Sequence, residues 1–122
     1  MYRGSCLCGK VSFELLEEPK ATSHCHCTMC QKQHGAAFAT YTSVRRSKFK
    51  YMSGQDLLTL YKSSDNIIRK FCSYCGSNIE WAGHPKYPNW VSVPVAILDT
   101  LFTPESIEQL HTESRACWLS DS

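Results

Sequence analysis

The 122-residue sequence has no apolar run approaching the ~20 residues that a membrane-spanning helix needs. It has no signal-like apolar region behind Met1-Tyr2-Arg3-Gly4-Ser5-Cys6 either, which predicts a reducing, cytoplasmic or nuclear setting. No G-x-G-x-x-G, P-loop, G-x-S-x-G or N-x-S/T sequence occurs, which removes several large enzyme classes. Charge of either sign is in short supply. Thirteen Lys and Arg against eleven Asp and Glu leave a net +2 with five neutral histidines, too little for a general grip on phosphate or an anionic membrane. Repeats, low-complexity runs and linker-like segments are missing too. The length therefore predicts a single domain over residues 1–122, large enough to bury roughly two thirds of its unfolded surface.

Cysteine is the residue in excess. Eight cysteines stand at positions 6, 8, 25, 27, 30, 72, 75 and 117, mostly in tight clusters. Closely spaced thiols rarely pair with one another as disulfides, and they are what a metal ion requires. Cys6, Cys8, Cys72 and Cys75 form a C-x-C … C-x2-C set, enough for a closed tetrahedral zinc that cross-links the N-terminal turn to the middle of the chain. Iron would suit the same four sulfurs. Cys25, Cys27 and Cys30 form a C-x-C-x2-C set, one thiolate short of closure. A zinc ion there keeps an open position for water or a substrate thiol, the mark of a catalytic site. Closure by His24, His26 or His34 is the alternative. His24 and His26 straddle Cys25, so extended backbone turns them away from the cysteine face. Thiolate-bound zinc at both sites would bring the net charge to about −1.

Around these clusters the chain is mainly β with little helix. Val11-Ser12-Phe13-Glu14-Leu15 alternates as a strand, and Pro19 ends it. Thr28-Met29-Cys30-Gln31 matches a capping box with Thr28 as N-cap, so a helix of about two turns begins there and stops at Gly35. Strands are expected over 37–42 and 48–52, and 58–62 pairs with 67–71 as a hairpin around Ser63-Ser64-Asp65-Asn66. That hairpin delivers the knuckle Cys72-Ser73-Tyr74-Cys75-Gly76. Strands follow over 77–81 and 90–95, where Pro94 predicts an edge position or a bulge. Residues 105–111 are extended or form one helical turn. The basic and aromatic segment Arg45 to Tyr51 is expected to be a solvated strand face rather than a nucleic-acid surface, and Cys117 an idle thiol.

Three segments carry a resemblance: Gly4-Ser-Cys-Leu-Cys-Gly-Lys-Val-Ser-Phe13, Cys25-His-Cys-Thr-Met-Cys-Gln-Lys-Gln-His-Gly-Ala36 and Arg69-Lys-Phe-Cys-Ser-Tyr-Cys-Gly-Ser77. Leu98-Asp99, Pro104, His111 and Trp118 fit the looser C-terminal pattern. The chain resembles the glutathione-dependent formaldehyde-activating enzymes, whose domain also occurs in centromere protein V. The resemblance implies an Mss4-like fold of several coiled antiparallel β-sheets and two zinc ions. It makes Cys6, Cys8, Cys72 and Cys75 the ligands of a structural zinc, and Cys25, Cys27 and Cys30 the ligands of a catalytic one. It implies a carbon–sulfur lyase that forms or cleaves S-hydroxymethylglutathione, with a thiol such as glutathione and an aldehyde as partners and no nucleic acid or membrane. Lys32 and His34 become candidates for carboxylate binding or proton transfer. Two other classes fit the same residues: a non-enzymatic zinc-stabilised binding module, and a thiol enzyme of the methionine sulfoxide reductase kind that would use Cys117 as nucleophile.

Overall fold

The alternation that begins at Val11 becomes an edge of the main core. In the computed structural model, which describes residues 1–119, Val11, Phe13 and Leu15 are each at most 1% exposed. Strands β1 (Tyr2–Ser5), β2 (Ser12–Leu15) and β5 (Phe49–Ser53) form a three-stranded antiparallel sheet in the order β1-β2-β5. A seven-stranded sheet is built from β3 (Lys20–Cys25), β4 (Ala39–Arg45), β6 (Leu58–Lys62), β7 (Ile68–Cys72), β8 (Asn78–Ala82), β9 (Trp90–Pro94) and β10 (Glu108–Leu110). Its order is β10-β3-β4-β9-β8-β7-β6, antiparallel except for β10, which runs parallel to β3. The one α-helix of the described residues, α1, spans Thr28–His34. The domain is mainly β.

Pleating gives the larger sheet two faces with different tasks. Val44, Val91 and Val93 point to one side and join Val11, Phe13, Leu15 and Ile79 in the main core, where the Phe13 and Phe49 rings stack 5.1 Å apart. Ala39 and Tyr41 alternate to the other side and pack with Cys30 of α1. Glu80, 3% exposed, ties the two sheets together. It accepts from Arg46 Nη2 at 2.7 Å and from the Tyr51 hydroxyl, and Lys70 Nζ stands 3.7 Å away. Burial alone would raise its pKa, yet the hydrogen bonds from Arg46 and Tyr51 hold it below the ordinary carboxylate value.

Several expectations meet a different outcome. Pro94 ends an interior strand rather than an edge: β9 lies between β4 and β8, but the β8 ladder stops at Trp81↔Ser92 and Ala82↔Val91. The proline's missing donor therefore falls past the end of that ladder. Within residues 105–111 the extended alternative holds for Glu108–Leu110, which form β10, though no local pattern announces its pairing with β3. The Arg45-to-Tyr51 segment is engaged within the chain. Arg45 pairs with Glu17 at 2.6 Å, Arg46 with Glu80, and Phe49 and Tyr51 pack on the core. Gly54 has φ +74° and lies so close to the Lys10 carbonyl that an added Cβ would collide with it.

Candidate metal centres

Two short turns build the first centre. Cys6 N–H donates to Val11 O and Gly9 N–H to Cys6 O, each at 3.0 Å, which curls the N-terminal turn around its sulfurs. The second turn closes through Gly76 N–H to Cys72 O at 2.7 Å and Cys72 N–H to Ser77 O at 2.9 Å. Ser77 bridges the two, since its Oγ accepts from Leu7 N–H at 2.9 Å and lies 3.4 Å from Cys75 Sγ. The Ser77 hydroxyl and amide bring the Cys75 thiol down to about 5 against the cost of its burial. All four sulfurs lie within 4.8 Å of one another, with Cys6–Cys8 at 3.5 Å and Cys8–Cys72 at 3.9 Å. A tetrahedral zinc with sulfur at ~2.3 Å requires sulfur pairs about 3.8 Å apart. The donor set fits a zinc ion.

The second centre stands where β3 hands the chain to α1. Cys25 closes β3, Cys27 is the N-cap of α1, and Cys30 sits in its first turn. The cap residue is Cys27 rather than Thr28, because the Cys27 sulfur itself accepts from Cys30 N–H at 3.3 Å. Gln31, expected to reach back to a Thr28 cap, donates instead to the carbonyls of His26 at 2.7 Å and Ser114 at 2.8 Å. Gly35 ends the helix in the left-handed region at φ 60°. The three sulfurs lie within 4.8 Å of one another, and their group includes no histidine.

Each histidine is placed elsewhere. His24 Nδ1 pairs with Thr40 Oγ1 at 2.8 Å, and Phe38 packs against the rings of both His24 and His26. His26, 1% exposed, pairs through Nε2 with Gln109 Oε1 at 2.7 Å, while its buried Nδ1 has no hydrogen-bond partner among the described residues. His34 Nε2 pairs with the Tyr41 hydroxyl at 2.8 Å, and its Nδ1 lies 3.4 Å from Asn78 Nδ2. Burial and the nearby Arg69 charge lower the His34 pKa. Lys32 is exposed on α1, and Cys117 is exposed near the C-terminal end of the described residues.

The residue that sequence reasoning missed is Arg69. Its side chain enters from β7 and is 3% exposed. Nη1 and Nη2 both lie 3.7 Å from Cys30 Sγ, Nη1 donates to Gln33 Oε1 at 2.6 Å, and Nε to Ser63 Oγ at 2.9 Å. A buried guanidinium needs acceptors beside it, and the Cys30 sulfur, Gln33 Oε1 and Ser63 Oγ supply them. The thiols also divide the charge among themselves. Hydrogen bonding with Cys30 and the Cys27 amide brings Cys25 down to about 5 despite burial, whereas Cys25 and burial push Cys30 up. The only hint in the sequence is an arginine two residues before a strand-ending Phe71-Cys72, which any surface strand could carry.

The model of one protein family, described as glutathione-dependent formaldehyde-activating enzyme, matches residues 1–120. The fold is similar to a crystal structure of a Rhodobacter sphaeroides protein solved as a structural genomics target. The TM-score is 0.71 at 26% sequence identity, over 88% of this chain and 98% of that one. No curated protein matches the sequence.

Proposed function

Because the chain belongs to the glutathione-dependent formaldehyde-activating enzyme family, we propose that it forms or cleaves the carbon–sulfur bond between a glutathione-type thiol and an aldehyde, as in S-hydroxymethylglutathione. The observation that carries this reading is the inequality of the two cysteine groups: four sulfurs converge in one and three in the other, with no histidine to complete the smaller. Cys6, Cys8, Cys72 and Cys75 would hold a structural zinc, and Cys25, Cys27 and Cys30 a catalytic one. The latter ion would supply a Lewis-acid position at which a thiol ionises near neutral pH.

The chain's own groups prepare that position. The Cys30 amide and the Arg69 guanidinium donate to the Cys27 and Cys30 sulfurs, so the thiolates are anchored before substrate arrives. Half-buried Trp81 and buried Tyr41 pack against the trio and shield it from bulk water. Lys32, exposed on α1, is the candidate for meeting a carboxylate of glutathione. His34, with both ring nitrogens occupied by Tyr41 and Asn78, suits a role in holding the end of α1 better than proton exchange with substrate. The methionine sulfoxide reductase-like alternative rests on Cys117, which is exposed and belongs to neither sulfur group. Among the described residues no helix is long and apolar enough to cross a membrane.

The test is zinc stoichiometry with and without glutathione, read alongside calorimetric glutathione binding and turnover of formaldehyde. Two zinc ions, glutathione binding that needs the second, and formation of S-hydroxymethylglutathione are expected. Two zinc ions with no thiol-dependent activity on any aldehyde would favour a zinc-stabilised binding module instead.

A further inference from the structure

A centre that presents three protein thiolates to an aldehyde beside one substrate thiolate has a selectivity problem, because four sulfurs compete for one carbonyl carbon. Two of the three protein sulfurs here already receive N–H groups. Cys27 Sγ accepts from the Cys30 amide at 3.3 Å. Cys30 Sγ faces both terminal nitrogens of Arg69 at 3.7 Å. Arg69 is not free to leave, since Ser63 Oγ holds its Nε and Gln33 Oε1 its Nη1. A thiol arriving from solvent brings no such donors.

We propose that Arg69 is a positioning residue that makes Cys30 a spectator, leaving the substrate sulfur as the nucleophile toward the aldehyde. The proposal rests on the reading of the three-cysteine centre given above. In the productive step a substrate sulfur lone pair forms the carbon–sulfur bond, the carbonyl π pair moves to oxygen, and that oxygen takes a proton. In reverse the bond breaks and the sulfur keeps the pair. For Cys30 to react in its place, its lone pair would have to leave two charge-assisted donors in a buried setting, and that loss raises its barrier. The fork geometry of guanidinium matters as well as its charge, because one planar group serves Cys30, Gln33 and Ser63 together.

The experiment compares wild type, Arg69→Gln and Arg69→Lys, all zinc-loaded with the metal content measured. Each is exposed to iodoacetamide and separately to formaldehyde without glutathione. Peptide mass spectrometry then follows modification of Cys30 against Cys25 and Cys27 in the same molecules. Arg69→Gln is expected to raise the Cys30 rate relative to Cys27 about ten-fold, equivalent to about 1.4 kcal/mol. Formaldehyde should add the mass of one hydroxymethyl-forming unit at Cys30 in that variant alone. Arg69→Lys loses the planar fork but keeps the cation, so it should stay within about three-fold of wild type, a fraction of that free-energy difference. A merely structural arginine would give equal rates in the two variants, and that result overturns the proposal. So does an unchanged Cys30 rate in Arg69→Gln, or folded variants that both fail to retain the second zinc. Labelling needs no turnover, so a protein inert toward glutathione would sink the functional reading while this ratio still stood or fell separately.

Discussion

Cys72→Ser should unfold the domain, whereas Cys27→Ser should leave it folded and inactive. Cys72 is fully buried in the main core cluster, at the junction of β7 with the knuckle, and its sulfur lies 3.9 Å from Cys8 across the two turns. A structural zinc contributes about 10–16 kcal/mol of apparent folding free energy in small zinc-dependent folds. The net stability of a domain is only about 5–15 kcal/mol. Losing one of four ligands forfeits a substantial share of the first quantity, and the serine hydroxyl adds a desolvation cost of about 1–3 kcal/mol where no oxygen was buried before. Little net stability remains. Cys27 sits on the second, smaller cluster, half-buried, and its structural task is to accept one N–H at the start of a seven-residue helix. Serine performs that capping task as well, so the folding cost should be about 1 kcal/mol or less, a fall in Tm of about 3–6 °C. Circular dichroism, thermal melts, zinc analysis and turnover with glutathione and formaldehyde separate the outcomes. Cys27→Ser should keep one zinc and a native spectrum without activity, and Cys72→Ser should lose its cooperative melt. Equal loss of folding in the two variants would refute this division of labour between the centres.

Glu80→Gln should cost about 1–3 kcal/mol, less than a fully buried pair because Arg46 reaches solvent. The Glu80 carboxyl titrates below its ordinary 4.5 in the folded chain, so its contribution is full above that value and is lost as pH falls through the folded pKa. Melts between neutral and acid pH should therefore show a shallower acid-side decline in the glutamine variant, and an identical decline would remove Glu80 from the account. Lys32→Ala should raise KM for glutathione several-fold with kcat nearly unchanged, and leave turnover with an uncharged thiol unaltered; an equal effect on both thiols would discount a carboxylate contact. Cys117→Ser should retain full activity in the same assay, and its loss would restore the thiol-enzyme alternative.

The parts of this protein that could be read from its sequence are those set within a few residues of one another. A knuckle is a local turn, so Cys72-Ser73-Tyr74-Cys75-Gly76 shows its sulfurs on one side whatever the rest of the chain does. The same holds for the alternation from Val11 to Leu15, for the 58–62 and 67–71 hairpin, and for the left-handed stop at Gly35. Thr28 as a cap is a local expectation that fails, because Cys27, one residue earlier, accepts the Cys30 amide through its own sulfur. Everything that makes the second centre particular comes from pairings across the chain. Arg69 reaches Cys30 over 39 positions although β7 stands four strands from β3, because α1 packs back over β4 and β8, and nothing local marks an arginine as buried. The histidines nearest the cysteines are drawn to Thr40, Gln109 and Tyr41, partners supplied by β4 and by β10. Pro94 could lie within the larger sheet only because β8 ends its ladder before reaching it. Spacing decides which sulfurs one turn presents together, since a ligand turn is short and self-contained, but the fold brings Cys6 and Cys8 to Cys72 and Cys75. Which cation faces those sulfurs, and whether a histidine does, depends on long-range strand order, where the free energy is that of the whole sheet rather than of any one segment.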